Sequence, residues 1–105
     1  MITWAYIYEH PGADPGRDRS ELERDGQRSL MVPVAAAADA ARVAAALVAD
    51  EQVQLVELCG GFDLESVTRV VAAVGHQVPV GHVTFSVEAL PAAAAFNGAT
   101  EAATS

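Results

Sequence analysis

The chain has 105 residues, 51% of them hydrophobic, and a formal charge of −8 from fourteen acidic and six basic residues. All six basic residues are Arg, so the absence of Lys excludes a Schiff-base mechanism through lysine, and the acidic balance argues against a nucleic-acid partner, which needs a basic patch. The length makes one domain, and the apolar share exceeds what so small a domain readily hides, which predicts a homodimer or higher homo-oligomer.

Ile2 to Tyr8 reads as a first strand, with Ile2, Trp4, Tyr6 and Tyr8 on one face and Thr3, Ala5 and Ile7 on the other. Both faces are largely apolar, which predicts cover on both sides. His10-Pro11-Gly12 ends the strand. Residues 13–27 are polar, with turns at Asp14-Pro15-Gly16 and Asp25-Gly26 and a short helix expected over Arg17 to Arg24, anchored by Leu22. Arg17, Arg19, Arg24 and Arg28 alternate there with Asp18, Glu21, Glu23 and Asp25, the pattern of a solvated face. Ser29 to Val34 is a second strand, placed at an edge or a strand end by Pro33.

Ala38 to Asp50 has helical periodicity, with Ala40, Val43, Ala44, Leu47 and Val48 on one side. Val53 to Leu58 is the most continuously apolar strand. A helix capped by Asp63 follows, with Leu64, Val67, Val70, Val71 and Val74 as its buried stripe and Gly75 as its stop. Val78 to Phe85 is a fourth strand. A last helical piece starts at Ser86 or Pro91, and residues 99–105 read as a frayed tail beyond a domain of residues 1–98. The sum is an α/β fold: a small, open, four-stranded, mostly parallel sheet with flanking helices. It is a flavodoxin-like half-fold if strands one and two are joined by a crossover, and a mixed sheet if they are joined by a long hairpin.

Chemistry concentrates after the third strand, in Glu57-Leu58-Cys59-Gly60-Gly61-Phe62. A carboxylate inside an apolar strand loses hydration, which favours a general acid or base near neutral pH. Cys59 shares the parity of Glu57 and precedes a helix start, where a thiolate is favoured; it serves equally as a small buried hydrophobe. Gly60 and Gly61 form a tight turn able to present backbone N–H groups to an anion, with Phe62 beside it. They match neither a dinucleotide fingerprint nor a P-loop, so no nucleotide cofactor is expected. His10 follows strand one and His82 lies late in strand four, so parallel strands bring both towards the edge that carries Glu57 and Cys59. Tyr8 offers a hydroxyl at the same edge. No metal-ligand spacing is present, which ranks a metal second to acid–base chemistry.

Three segments carry a resemblance: residues 2–8 leading to Pro11-Gly12-Ala13-Asp14-Pro15, the block Val56-Glu57-Leu58-Cys59-Gly60-Gly61-Phe62, and Val78-Pro79-Val80-Gly81 before His82. Over residues 2–85 the chain resembles a family of small bacterial proteins known only as a domain of unknown function. The resemblance implies a compact α/β domain with a site near Glu57–Phe62, and no activity.

The expected function is an enzyme of isomerase, lyase or cyclase type acting on a small organic molecule, with Glu57, Cys59, His82 and His10 as catalytic residues and Gly60, Gly61, Phe62 and Tyr8 as substrate contacts. The alternative is a non-catalytic binding module for a small anionic metabolite or a metal. One Cys fits a reducing compartment, and neither a signal peptide nor a membrane span is expected, which points to the cytoplasm.

Overall fold

The computed structural model describes residues 1–104. It is α/β, with strands β1 (Ile2–Glu9), β2 (Ser20–Arg24), β3 (Gln27–Val34), β4 (Val56–Leu58) and β5 (Val80–His82) and helices α1 (Ala40–Glu51), α2 (Leu64–Val74) and α3 (Leu90–Thr104). The five strands form one mixed sheet in the order β2-β3-β1-β4-β5. β3, β1, β4 and β5 run parallel, and β2 pairs antiparallel with β3. The expected class is correct, but one strand was missed.

That strand replaces the expected helix over Arg17 to Arg24. Asp25 and Gly26 both take positive φ, 54° and 82°, as a tight Asp-Gly hairpin turn requires. The turn folds Ser20–Arg24 back along β3, with Leu22 opposite Ser29 and Glu23 opposite Arg28. Arg28 then locks the hairpin to α1. Its guanidinium donates to Glu21 at 2.9 Å and to Glu51 at 2.7 Å. Pro33 sits comfortably in an interior strand because β2 reaches only as far as Met31. The backbone of Val34 faces β1, where its carbonyl accepts from the His10 N–H, so position 33 faces the side that β2 has already left.

Helices cover only one face of the sheet; on the other, Pro33 is buried beneath the β1–β2 loop. Ala5, Ile7, Leu30, Val32, Val34, Val56 and Leu58 point to the helix-covered face and are buried against Ala40, Val43, Ala44 and Leu47 of α1 and Val70 of α2. The two helices lie side by side on that face. Trp4, Tyr6 and Tyr8 point to the other face and stay half-exposed, contrary to the expectation of cover on both sides. The apolar content of β1 predicts two-sided burial, but the connection from β1 to β3 contains no helix to provide the second layer. Trp4 satisfies its indole N–H on Ser29 Oγ at 2.6 Å, and the rings of Tyr6 and Tyr8 stack at 6.1 Å.

α2 is capped as expected: Asp63 accepts from the Ser66 N–H at 2.8 Å, and Gly75 ends the helix at φ 79°. The bond to Ser66 holds the Asp63 carboxyl below its usual range. The buried stripe of α2 is narrower than its apolar pattern, however. Val70 and Ser66 are buried, Val67 and Val74 are partly buried, and Leu64 is 75% exposed. At the carboxyl end, α3 runs through Thr104, so residues 99–104 of the expected tail are helical, and Ser105 lies outside the described residues. No helix among the described residues is long and apolar enough to cross a membrane.

Candidate functional site

Parallel pairing of β1 with β4 sets Tyr6 opposite Glu57, and β4 with β5 sets Glu57 opposite Gly81. Adding the β1–β3 and β2–β3 registers gives one row across the uncovered face: Ser20, Met31, Tyr6, Glu57, Gly81. Glu57 is therefore exposed, whereas its neighbours Val56 and Leu58 point beneath the helices and are buried. The expected burial of this carboxylate between apolar layers does not occur, because the layer on its side is missing. Cys59 continues the same parity, half-buried, with its N–H donating to the Ile7 carbonyl at 3.1 Å. Partial burial first, then Coulombic interaction with Cys59 and Glu57, pushes the Tyr6 phenol above its ordinary range. Its hydroxyl is thus a proton donor beside the Glu57 carboxylate.

The loop after β1 leaves towards β3, and the loop after β4 leaves towards β5. The chain parts between these carboxyl ends, the position at which open α/β sheets keep ligands. Around this gap a β-carbon built on Gly61 would lie 3.7 Å from Cys59 Sγ and 3.7 Å from Glu9 Oε1. Beside it a cleft of about 360 Å³ opens under the β1–β2 loop, with Tyr8 and Pro33 on the sheet and His10, Ala13 and Asp18 on the loop. His10 Nδ1 lies 3.2 Å from the Pro11 carbonyl; the tautomer that donates this bond leaves Nε2 as a lone-pair base. The loop is stiffened from within. Asp14 accepts from the Gly16 and Arg17 N–H groups, and Asp18 accepts from the Asp14 N–H at 2.8 Å.

Four expected contributors fall elsewhere. His82 pairs with Leu58, so it faces the helices, on the opposite side of the sheet from Glu57. Strand direction brought it to the right edge, but strand parity put it on the wrong face. Its Nε2 is buried without a hydrogen-bond partner among the described residues. Replacing the ring with Leu removes an unsatisfied polar atom, so His82→Leu is expected to hold or raise the melting temperature, measured by calorimetry; a marked loss would mean the imidazole has a partner. Phe62 is 3% exposed and belongs to the core rather than to a substrate contact.

Gly60 and Gly61 do not form the anion-binding bend. Neither takes positive φ, which alternating-hand backbone nests require. A β-carbon on Gly60 would come within 2.9 Å of the Phe85 ring and 3.2 Å of the Val83 carbonyl. Glycine stands there so that the chain after β5 can lie against the turn. The first turn of α2 already holds a carboxylate, that of Asp63.

Sequence reasoning missed Asp18 and Pro33 as cleft walls and Glu9 as a second carboxylate beside Cys59. The Pro11-Gly12-Ala13-Asp14-Pro15 block was the available signal, since a turn-rich loop at a strand's carboxyl end is where sites sit. Among the described residues no three His, Cys, Asp or Glu side chains gather so as to hold a metal ion.

The family model for a family of unknown function, DUF6506, matches residues 2–98, from the first strand into α3. The chain belongs to that family. The match takes in β1, the β1–β2 loop, the Glu57–Gly61 segment and β5, all the elements that surround the gap in the sheet. No curated protein and no solved structure matches the chain.

Proposed function

We propose that this chain acts on a small organic molecule by acid–base chemistry at the carboxyl edge of its sheet. The observation that carries the reading is the cleft of about 360 Å³ in which Tyr8, His10 and Asp18 converge, with Tyr6 on the same strand as Tyr8 and Glu57 and Cys59 one strand away. Its volume is at the small end of ligand sites, and its walls mix apolar surface from Pro11, Ala13 and Pro33 with a few placed polar groups. In this reading the Tyr8 hydroxyl and His10 orient the ligand, His10 or Glu57 carries the proton, and Tyr6 donates a hydrogen bond to charge that develops nearby. The lone cysteine favours a reducing compartment such as the cytoplasm.

Binding without turnover is the second reading. The exposure of Glu57 favours it, because a carboxylate open to solvent does not sit in the water-excluded enclosure that reacting sites usually build.

Titration of isotope-labelled protein with a panel of small carboxylic, keto and amino acids tests both. The expected result is chemical-shift change confined to residues 10–13, Tyr8, Asp18 and the adjoining Tyr6, Glu57 and Cys59, with Tyr8→Phe and His10→Ala each weakening the bound compound by roughly fivefold, as loss of one hydrogen bond should. Conversion of that compound, followed by proton NMR, supports the enzyme; binding without conversion supports the module. Shift changes centred on the helix-covered face of the sheet would reject both.

A further inference from the structure

We infer that the uncovered face of the sheet is roofed by α3 of a second copy of this chain, in a reciprocal two-fold dimer. The chain carries two apolar surfaces that its own fold does not use. One is the sheet face bearing Leu22, Met31, Trp4 and Tyr6, of which Leu22 is 58% exposed and the others are half-buried. The other is α3. This fifteen-residue helix packs chiefly on the short turn Val87–Ala89 before it, none of its residues through Ala103 is buried, and Phe96 is 74% exposed. A helix that is apolar around most of its circumference and stands away from the core lacks the burial that normally stabilises it.

The surface area measures what is missing. A globular monomer of this mass exposes about 5,600 Å². This chain exposes 6575 Å². The excess is about 1,000 Å², close to the roughly 800 Å² that each partner contributes to a stable interface.

The dimensions also agree. Fifteen helical residues extend about 22 Å. Five strands at their usual spacing set the outer two about 19 Å apart, so one helix spans the sheet from edge to edge. α3 brings a single charged residue, Glu101, to the contact even though each chain carries −8, and on the sheet side Glu57 stays at the rim of the covered area with its carboxylate in solvent. A two-fold axis lets each helix cover the other copy's sheet, so both surfaces are used and none remains to propagate assembly.

Light scattering of the full chain, with NMR on an equal mixture of labelled and unlabelled protein, tests this. The expected result is a dimer, with intermolecular contacts from α3 methyl groups to the rings of Trp4 and Tyr6. Phe96→Asp is expected to weaken dimerisation by at least about tenfold, as loss of a central aromatic anchor does, with an unchanged circular dichroism spectrum from the strands. Phe96 lies outside the core, so the variant folds. A monomer at NMR concentration overturns the inference. So does a dimer whose intermolecular contacts join α3 to α3, or join the β2 edges, and leave Trp4 and Tyr6 untouched.

Discussion

Leu58→Glu is expected to abolish the folded state, while Glu57→Leu, one residue earlier, leaves it intact. Leu58 is fully buried on the helix-covered face among the core residues of β1 and β4. No Arg belongs to the core cluster among the described residues, and the His82 imidazole opposite is itself largely shut off from water, so a carboxylate there is poorly compensated and costs several kcal/mol. That is comparable with the whole stability of a domain this size, about 5–15 kcal/mol. Position 57 points the other way, next to Tyr6 and Gly81, where the existing carboxylate is exposed. Leu fits there without steric conflict, because a β-carbon on the facing Gly81 would stand at ordinary contact, 3.6 Å, from the Glu57 side chain. Urea denaturation of the two variants decides the matter. Equal damage from both would mean that both faces of β4 are covered in one chain, and the one-layer architecture would fail.

Ile7→Ala carries the next largest effect. Ile7 is fully buried at the centre of the covered face, in β1, the middle strand of the sheet. Truncation there removes transfer energy and leaves a cavity that flanking strands cannot collapse into, for about 2–5 kcal/mol in all. At the entropy of a domain near 100 residues this lowers the melting temperature by on the order of 10–20 °C. Leu64→Ala is the matched control. Leu64 has the same apolar character and belongs to the periodic stripe of α2, yet it is mostly exposed, so its loss should stay within about 0.5 kcal/mol. Calorimetry of the pair separates pattern from burial: a large loss at Leu64 would place the α2 stripe in the core after all.

These contrasts show which parts of the fold were legible. The period of α1 exposed its buried side directly, because Ala40, Val43, Ala44 and Leu47 are the residues that pack. Asp63 and Gly75 marked both ends of α2 through local chemistry that needs no tertiary context. What failed depended on whether a second layer exists, and nothing in the composition of a single strand reports that. Trp4, Tyr6 and Tyr8 are as apolar as a buried face, so β1 looked covered twice and Glu57 looked enclosed. β2 was hidden for a different reason: five residues with one apolar side chain give almost no period-two signal, and only the Asp-Gly turn betrayed the hairpin. At the candidate site, strand direction was enough to bring His10, Tyr8, Glu57 and Cys59 to one edge. Assigning His82 to a face needed the register with β4, and Phe85 against Gly60 is a contact between segments that no local reading supplies.

The two margins of the sheet have a consequence for handling the protein. The β2 margin is Ser-Glu-Leu-Glu-Arg, exposed throughout, and the β5 margin is three residues long. Unpaired strands normally template fibril growth by recruiting a neighbour's backbone, and short length and outward charge are what discourage it. Despite a chain that is half hydrophobic, concentrated solutions should therefore resist amyloid-like precipitation, and removal of Glu21 and Glu23 is the change that would open that route.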